Sequence, residues 1–211
     1  IEDGVRTLLE EKKGAATWNY WRKESGASPC PDDLDATALA LATLTLHAPS
    51  HINGEAIATL TRMLISAETT PGGPYHTWVV PPELRSDWND VDIAVNSNIA
   101  FFLTMQDVTL PNVVAMVEEC IVTDSFPSLY YHEPLVTLYF ISKWYRGDRV
   151  TDAIKSILKR RASETWGNPL LVAIAVTALL NFGYDHEKLH IPDDLLITYA
   201  NSGKWEAFPL Y

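Results

Sequence analysis

Pro31-Asp32-Asp33-Leu34-Asp35 sets three carboxylates within four residues, and Asn89-Asp90-Val91-Asp92 sets two more, each just ahead of an apolar run. Paired carboxylates are the equipment of general acid and base chemistry. A pair such as Asp35 and Asp92 would suit hydrolysis of a glycosidic bond, where the separation of the two groups selects the outcome. The same acids also suit a plainer role. Asp and Asn at a helix start accept from the free N–H groups of the first turn and complement the dipole. Capping explains one or two acids per helix better than three in four residues. If both helices start at the same rim, these carboxylates converge at one opening.

Other polar and aromatic residues fall at comparable places. Asn96 lies four residues after Asp92 and shares its helical face, whereas Asn98, at six residues, does not, so Asn96 is the candidate for a cavity wall. A bond from one helix to another is the alternative for a buried Asn. Tyr130-Tyr131-His132-Glu133 and Thr165-Trp166 with Asn168 precede two further apolar runs. Tyr131, His132 and Trp166 are candidates to face a substrate, where aromatic rings stabilise positive charge; packing is the alternative. His76 and His132 are isolated, with no metal-ligand spacing to another His, and no metal is expected.

The elements that must position these residues are helices. Apolar residues at helical spacing predict amphipathic helices near Val5–Lys12, Ala56–Ser66, Pro111–Val122 and Val150–Arg161, with a last one at Pro192–Ala200. Between them, Pro31–Leu46, Ile93–Met105, Pro134–Tyr145 and Pro169–Phe182 are apolar on most or all faces, which requires enclosure by protein. Outer and inner helices thus alternate with a period of about 40 to 55 residues, the pattern of stacked helical hairpins in one domain spanning 1–211. An open stack exposes its inner helices and a ring buries them. Inner helices this apolar predict a ring.

Gly14-Ala15-Ala16-Thr17-Trp18, Gly73 with Trp78, and Gly203-Lys204-Trp205 lie in turns between outer and inner elements. These Gly-to-Trp turns resemble the QW-type repeats of squalene and terpene cyclases, which share an α/α toroid with protein prenyltransferase β subunits. The likeness is to the spacing, since Leu8 through Trp18 lacks the glutamine of that motif. Asp33-Leu34-Asp35-Ala36-Thr37-Ala38 resembles the DxDD-T-A segment at which class II terpene cyclases protonate an alkene or epoxide, with Ala36 standing where that motif ends in aspartate.

The resemblance implies an all-α fold, an α/α toroid holding an isoprenoid or other apolar substrate, and cyclisation begun by protonation. Asp35 falls at the acid and Asp33 at its partner; Asp32, Asp90, Asp92, Asn96, Tyr131, His132 and Trp166 would line the substrate. It implies no cofactor. The Asp-x-Cys element of the prenyltransferase zinc site and the DDxxD of class I synthases are both missing from the sequence. The alternative implied by Ala36 is a toroid that binds an apolar ligand or a protein without chemistry.

Composition bounds the rest. The chain has 211 residues, of which 47% are apolar and 20% charged, too apolar a balance for a disordered chain. A net charge of −11 argues against a nucleic-acid partner. The one basic run, Lys155, Lys159, Arg160 and Arg161, reads as a solvated helix face. Cys30 and Cys120 form neither a disulfide framework nor a CxxC knuckle, so a reducing, cytoplasmic setting is expected. No apolar run reaches the roughly 20 residues of a membrane span, which leaves peripheral contact open. Ile1-Glu2-Asp3-Gly4 carries neither Met nor a signal pattern, which suggests a start inside a longer precursor. No phosphate-cradling glycine loop or serine-nucleophile elbow occurs. The sequence stops at Trp205–Tyr211, where a further inner helix would begin, so an unclosed apolar face would favour a homodimer.

Overall fold

The computed structural model describes residues 1–21, 30–164 and 168–185. Among these the chain is all-α, with eight α-helices: α1 (Glu2–Glu11), α2 (Leu34–His47), α3 (Gly54–Ala67), α4 (Ile93–Thr104), α5 (Pro111–Val122), α6 (Pro134–Trp144), α7 (Thr151–Glu164) and α8 (Pro169–Asn181). A small antiparallel pair, β1 (Asp32–Asp33) and β2 (Trp78–Val79), completes it, with Asp32 opposite Val79 and Asp33 opposite Trp78. The backbone divides into two compact units, Ile1–Val113 and Val114–Tyr211.

In the first unit α2 and α4 pack along one another, and α1 lies against α2. Both α2 and α4 are apolar on every side. Nine of the twelve α4 residues are buried, including Asn96, Ser97 and Asn98. The small Ala38, Ala40 and Ala42 of α2 are buried beside Leu34, Leu41 and Leu44. By contrast α1 has no fully buried residue, and α3 buries only Ala56, Leu60, Met63, Leu64 and Ala67, the stripe expected of an outer helix.

The predicted helix start at Pro31 moves to Leu34. Asp32 and Asp33 are extended because they pair with β2, and Asp33 (φ −120°, ψ 153°) is the residue that caps α2. The predicted bounds of α5 are those observed, and Pro111, Pro134 and Pro169 occupy first helical positions, where the missing N–H is not needed.

In the second unit α6 packs against α8, and α7 against both. Leu135, Leu138 and Ile141 of α6 meet an equally apolar α8, whose Leu171, Val172, Ala175, Ala178 and Leu179 are buried. The outer helix α7 buries Ile154, Ile157 and Leu158. Its basic run makes contacts of its own: Arg160 and Arg161 both pair with Asp124, and Lys159 Nζ lies 4.1 Å from the centre of the Tyr184 ring. Lys159 and Arg160 remain exposed, so these contacts lie on a solvated face. Glu118 of α5 accepts from Tyr145 Oη (2.9 Å) and pairs with Arg149 (2.8 Å).

No helix among the described residues is long and apolar enough to cross a membrane. The predicted helix at Pro192–Ala200, the third Gly-to-Trp turn at Gly203–Trp205, and Trp166 lie outside the described residues.

Candidate functional site at the joint start of α2 and α4

Thr77 decides where the two inner helices of the first unit begin. Its C=O accepts from Leu34 N, the first residue of α2, at 2.9 Å, and its N–H donates to Asp90 O, three residues before α4, at 3.0 Å. One residue therefore holds the two starts at the same end of the α2/α4 pair. The two acidic segments thus lead into their helices at the same end, which was the condition for their convergence.

Two turns deliver the chain to this point. In the first, Gly14 takes φ +52°, and Lys13 and Thr17 bond across it. Trp18 follows, buried, with Nε1 donating to Leu8 O (2.8 Å), its N–H to Thr37 Oγ1 (3.1 Å), and its C=O accepting from Asp33 N (3.4 Å). In the second, Gly72 (φ +85°) and Gly73 (φ +90°) turn the chain toward Tyr75 and on to β2. The two described Gly-to-Trp turns thus end on the two edges of β1, since successive N–H groups of a strand point to opposite sides.

Each carboxylate then has a distinct environment. Asp32, half-buried, accepts from Lys13 Nζ (2.8 Å) and Thr17 Oγ1 (2.9 Å). Asp33 is 3% exposed; one oxygen accepts from Ala36 N (2.6 Å) and the other from Tyr20 N (3.0 Å). Burial raises the Asp33 pKa from 3.8 to about 6, with a smaller upward push from Asp35 and Asp32 and an opposing pull from its two N–H donors. Asp35, in the first turn of α2, accepts from Asn98 Nδ2 of α4 at 2.8 Å. Asp92 caps α4, its Oδ1 accepting from Ala94 N (2.8 Å) and Val95 N (3.3 Å). The negative charge of Asp90 acts on Arg85, which ties its own loop by donating to the carbonyls of Trp78 (2.8 Å) and Trp88 (3.2 Å).

Asn96 is not a wall of an opening. Its Oδ1 accepts from Tyr75 N (2.8 Å), and its Nδ2 donates to Tyr75 O (2.9 Å) and Asp92 O (2.9 Å), so the whole amide grips backbone. Asn98, set aside in the sequence because it leaves the Asp92 face, is the one that reaches a carboxylate. Sharing a face with Asp92 does not decide the contact, because the acid that Asn98 meets belongs to α2. Asn98 Oδ1 and Thr77 Oγ1 are buried at this end without a hydrogen-bond partner among the described residues. The polar side chain of Asn98 in a largely apolar helix was the one signal for it in the sequence.

Tyr131 and His132 belong to the second unit, in the approach to α6. Tyr131 is buried edge-on against Phe140, ring centres 5.0 Å apart, and His132 is exposed. Tyr131 there is a packing residue, the alternative its type allowed. No group of three or more His, Cys, Asp or Glu among the described residues is arranged to hold a metal ion. A shallow, open depression lined by Ile1, Val5, Leu9 and His47 sits at the other end of α2 from Asp35.

What the site offers chemically is a pair of unlike carboxyls. Asp33 is sealed, holds a proton up to about pH 6, and touches backbone only. Asp35 is half-buried and set by a neutral amide. No protein-family model, curated protein or solved structure matches the chain.

Proposed function

We propose that the joint start of α2 and α4 donates a proton to an isoprenoid or other apolar substrate, in the manner of a class II terpene cyclase, within an α/α toroid. Asp35 is the acid that meets the substrate, Asp33 its proton-holding partner, and Asn98 the residue that orients Asp35. The observation that carries this reading is the unlike pair: Asp33 raised to about 6 by burial, beside an Asp35 fixed by Asn98 at 2.8 Å. An epoxide oxygen accepts a proton more readily than a bare alkene does, which favours an oxidised isoprenoid as the substrate. Asp35→Asn with polyprenoids and their epoxides supplied tests it. Loss of turnover in a folded variant is expected, and undiminished turnover would exclude the role.

A second reading is favoured by Asp33, both of whose oxygens accept backbone N–H groups, and by Ala36 in the motif's last position. In that reading the module keeps the scaffold, binds an apolar ligand or a protein, and performs no chemistry. Native mass spectrometry separates the two, since a co-purified apolar ligand without turnover fits only the second. A cytoplasmic homodimer closing its apolar face belongs to either reading, and sedimentation at low concentration tests the association.

A further inference from the structure

Asp33 is enclosed on three sides. Its own helix α2 lies beyond Ala36, β2 runs along one edge of β1, and the Trp18–Trp21 segment covers the other edge. The first two sides are fixed by the Thr77 backbone, which joins both helix starts. The third is uneven. Trp18 is buried and bonded through both backbone and ring, whereas Tyr20 and Trp21 are 57% and 47% exposed and stack edge-on, ring centres 5.0 Å apart. The Tyr20 N–H reaches Asp33 Oδ2 at 3.0 Å, and the turn itself is shaped by Asn19, whose Oδ1 accepts from Trp21 N and whose Nδ2 donates to Cys30 O and Pro31 O.

Among the described residues, the charged groups around Asp33 are mostly of its own sign. Asp32 precedes it on β1, carrying Lys13, and Asp35 follows on α2; both push against an ionised Asp33. The turn contributes the Tyr20 phenol, β2 contributes only Trp78 and Val79, and Asp90 and Asp92 stand at the start of α4 beyond Thr77. An ionised Asp33 has two N–H donors but is only 3% exposed, while moving the Asn19–Trp21 turn would open it to solvent.

We propose that the Asn19–Trp21 turn is a pH-dependent cover over the start of α2, closed while Asp33 is protonated and opening once that carboxyl is ionised. The direction follows from linkage: the covered carboxyl binds its proton more tightly than a hydrated one, so each step up in pH favours the uncovered state until Asp33 has fully titrated. The pH window runs from the ordinary value of 3.8 to about 6. The device acts whether or not the acid pair performs chemistry, and its test uses no substrate.

Amide hydrogen exchange of the full chain from pH 4 to pH 8, corrected for intrinsic rates, reads the cover directly. The opening constant at Tyr20 and Trp21 is expected to climb about thirtyfold between pH 4 and pH 6 and to level off near pH 7 at about twice that, while Ala94 of α4 stays unchanged. Asp33→Asn removes the titration, and Asp33→Ser, which retains an oxygen to cap α2, does so again if the first variant folds poorly. Either should abolish the climb. An opening constant in the native protein that is flat, or that falls as pH rises, would overturn the proposal, as would a climb that persists in the folded variants.

Discussion

Asn98 Nδ2 donates to Asp35 Oδ1 at 2.8 Å across 63 residues of sequence, joining the second turn of α4 to the first turn of α2. A neutral amide thus meets a half-buried carboxylate without adding charge, and so fixes the carboxyl group in place while leaving the pair's net charge to Asp35. Asn98→Ala is expected to lower unfolding free energy by about 1–2 kcal/mol, since a part-buried hydrogen bond to Asp35 is lost. A double-mutant cycle with Asp35→Ala should return a coupling of about 1 kcal/mol in chemical denaturation. Additive losses would show that the two side chains do not act together.

Asp33 should make the chain more stable in mild acid. Its folded pKa lies above its unfolded one, so its contribution is fully present below 3.8 and disappears as pH rises through about 6. The shift from 3.8 to about 6 corresponds to about 3 kcal/mol in full, of which about 2.4 kcal/mol falls between pH 4 and pH 7, relative to a chain lacking this carboxyl. Other carboxylates, such as Asp32 on Lys13, lose their pairing in acid, so the measurement is the difference between the native chain and Asp33→Asn. Denaturation midpoints whose difference does not change with pH would refute it.

Asn96→Leu should be costlier than most single changes in this unit. It leaves Tyr75 N–H and C=O, both served by the Asn96 amide, without partners in a buried setting. At roughly 1–3 kcal/mol for each unsatisfied group, a loss of about 2–5 kcal/mol is expected in urea denaturation. A change under 1 kcal/mol, measured with an unchanged m-value, would mean that the turn finds other partners.

The same turn has a second fixed point at Gly73. Its φ of +90° is rare for residues with a side chain, and a Cβ there would lie 2.7 Å from the Tyr75 ring. Gly73→Ala is expected to cost about 1–3 kcal/mol and to shift the Tyr75 ring signals in NMR spectra. Unperturbed ring signals with full stability would contradict the observed packing.

In the second unit, burial and the Glu118 carboxylate push the Tyr145 hydroxyl up to about 12. A tyrosine raised in this way stabilises the fold below the unfolded value of 10 and ceases to do so as pH climbs through about 12. Glu118→Gln should bring the Tyr145 ionisation down in a spectrophotometric titration, because the neutral amide no longer opposes the phenolate. An unmoved transition would assign the shift to burial alone.

The helices were legible in the sequence because their determinants are local. Apolar residues repeat around the axis within each segment, and Pro111, Pro134 and Pro169 mark first positions through their own backbone chemistry. The contrast between wholly apolar α4 and one-sided α3 likewise follows from residues a few places apart. That Asp92 would cap α4 was readable for the same reason, whereas the predicted start at Pro31 put Asp33 inside its helix and not at its cap.

What only the tertiary structure decided are the relations between distant segments. Asp32 and Asp33 are a strand because Trp78 and Val79 are beside them, and no property of residues 31–35 encodes that partner. Asn98 rather than Asn96 meets a carboxylate because α2 runs along α4, and Asp33 is the carboxyl with the raised proton affinity because Tyr20 and Trp18 close over it. Hydrogen-bond partners and desolvation depend on what the fold brings near, so residue type and spacing named the acids, while the packing of chain around them assigned their roles.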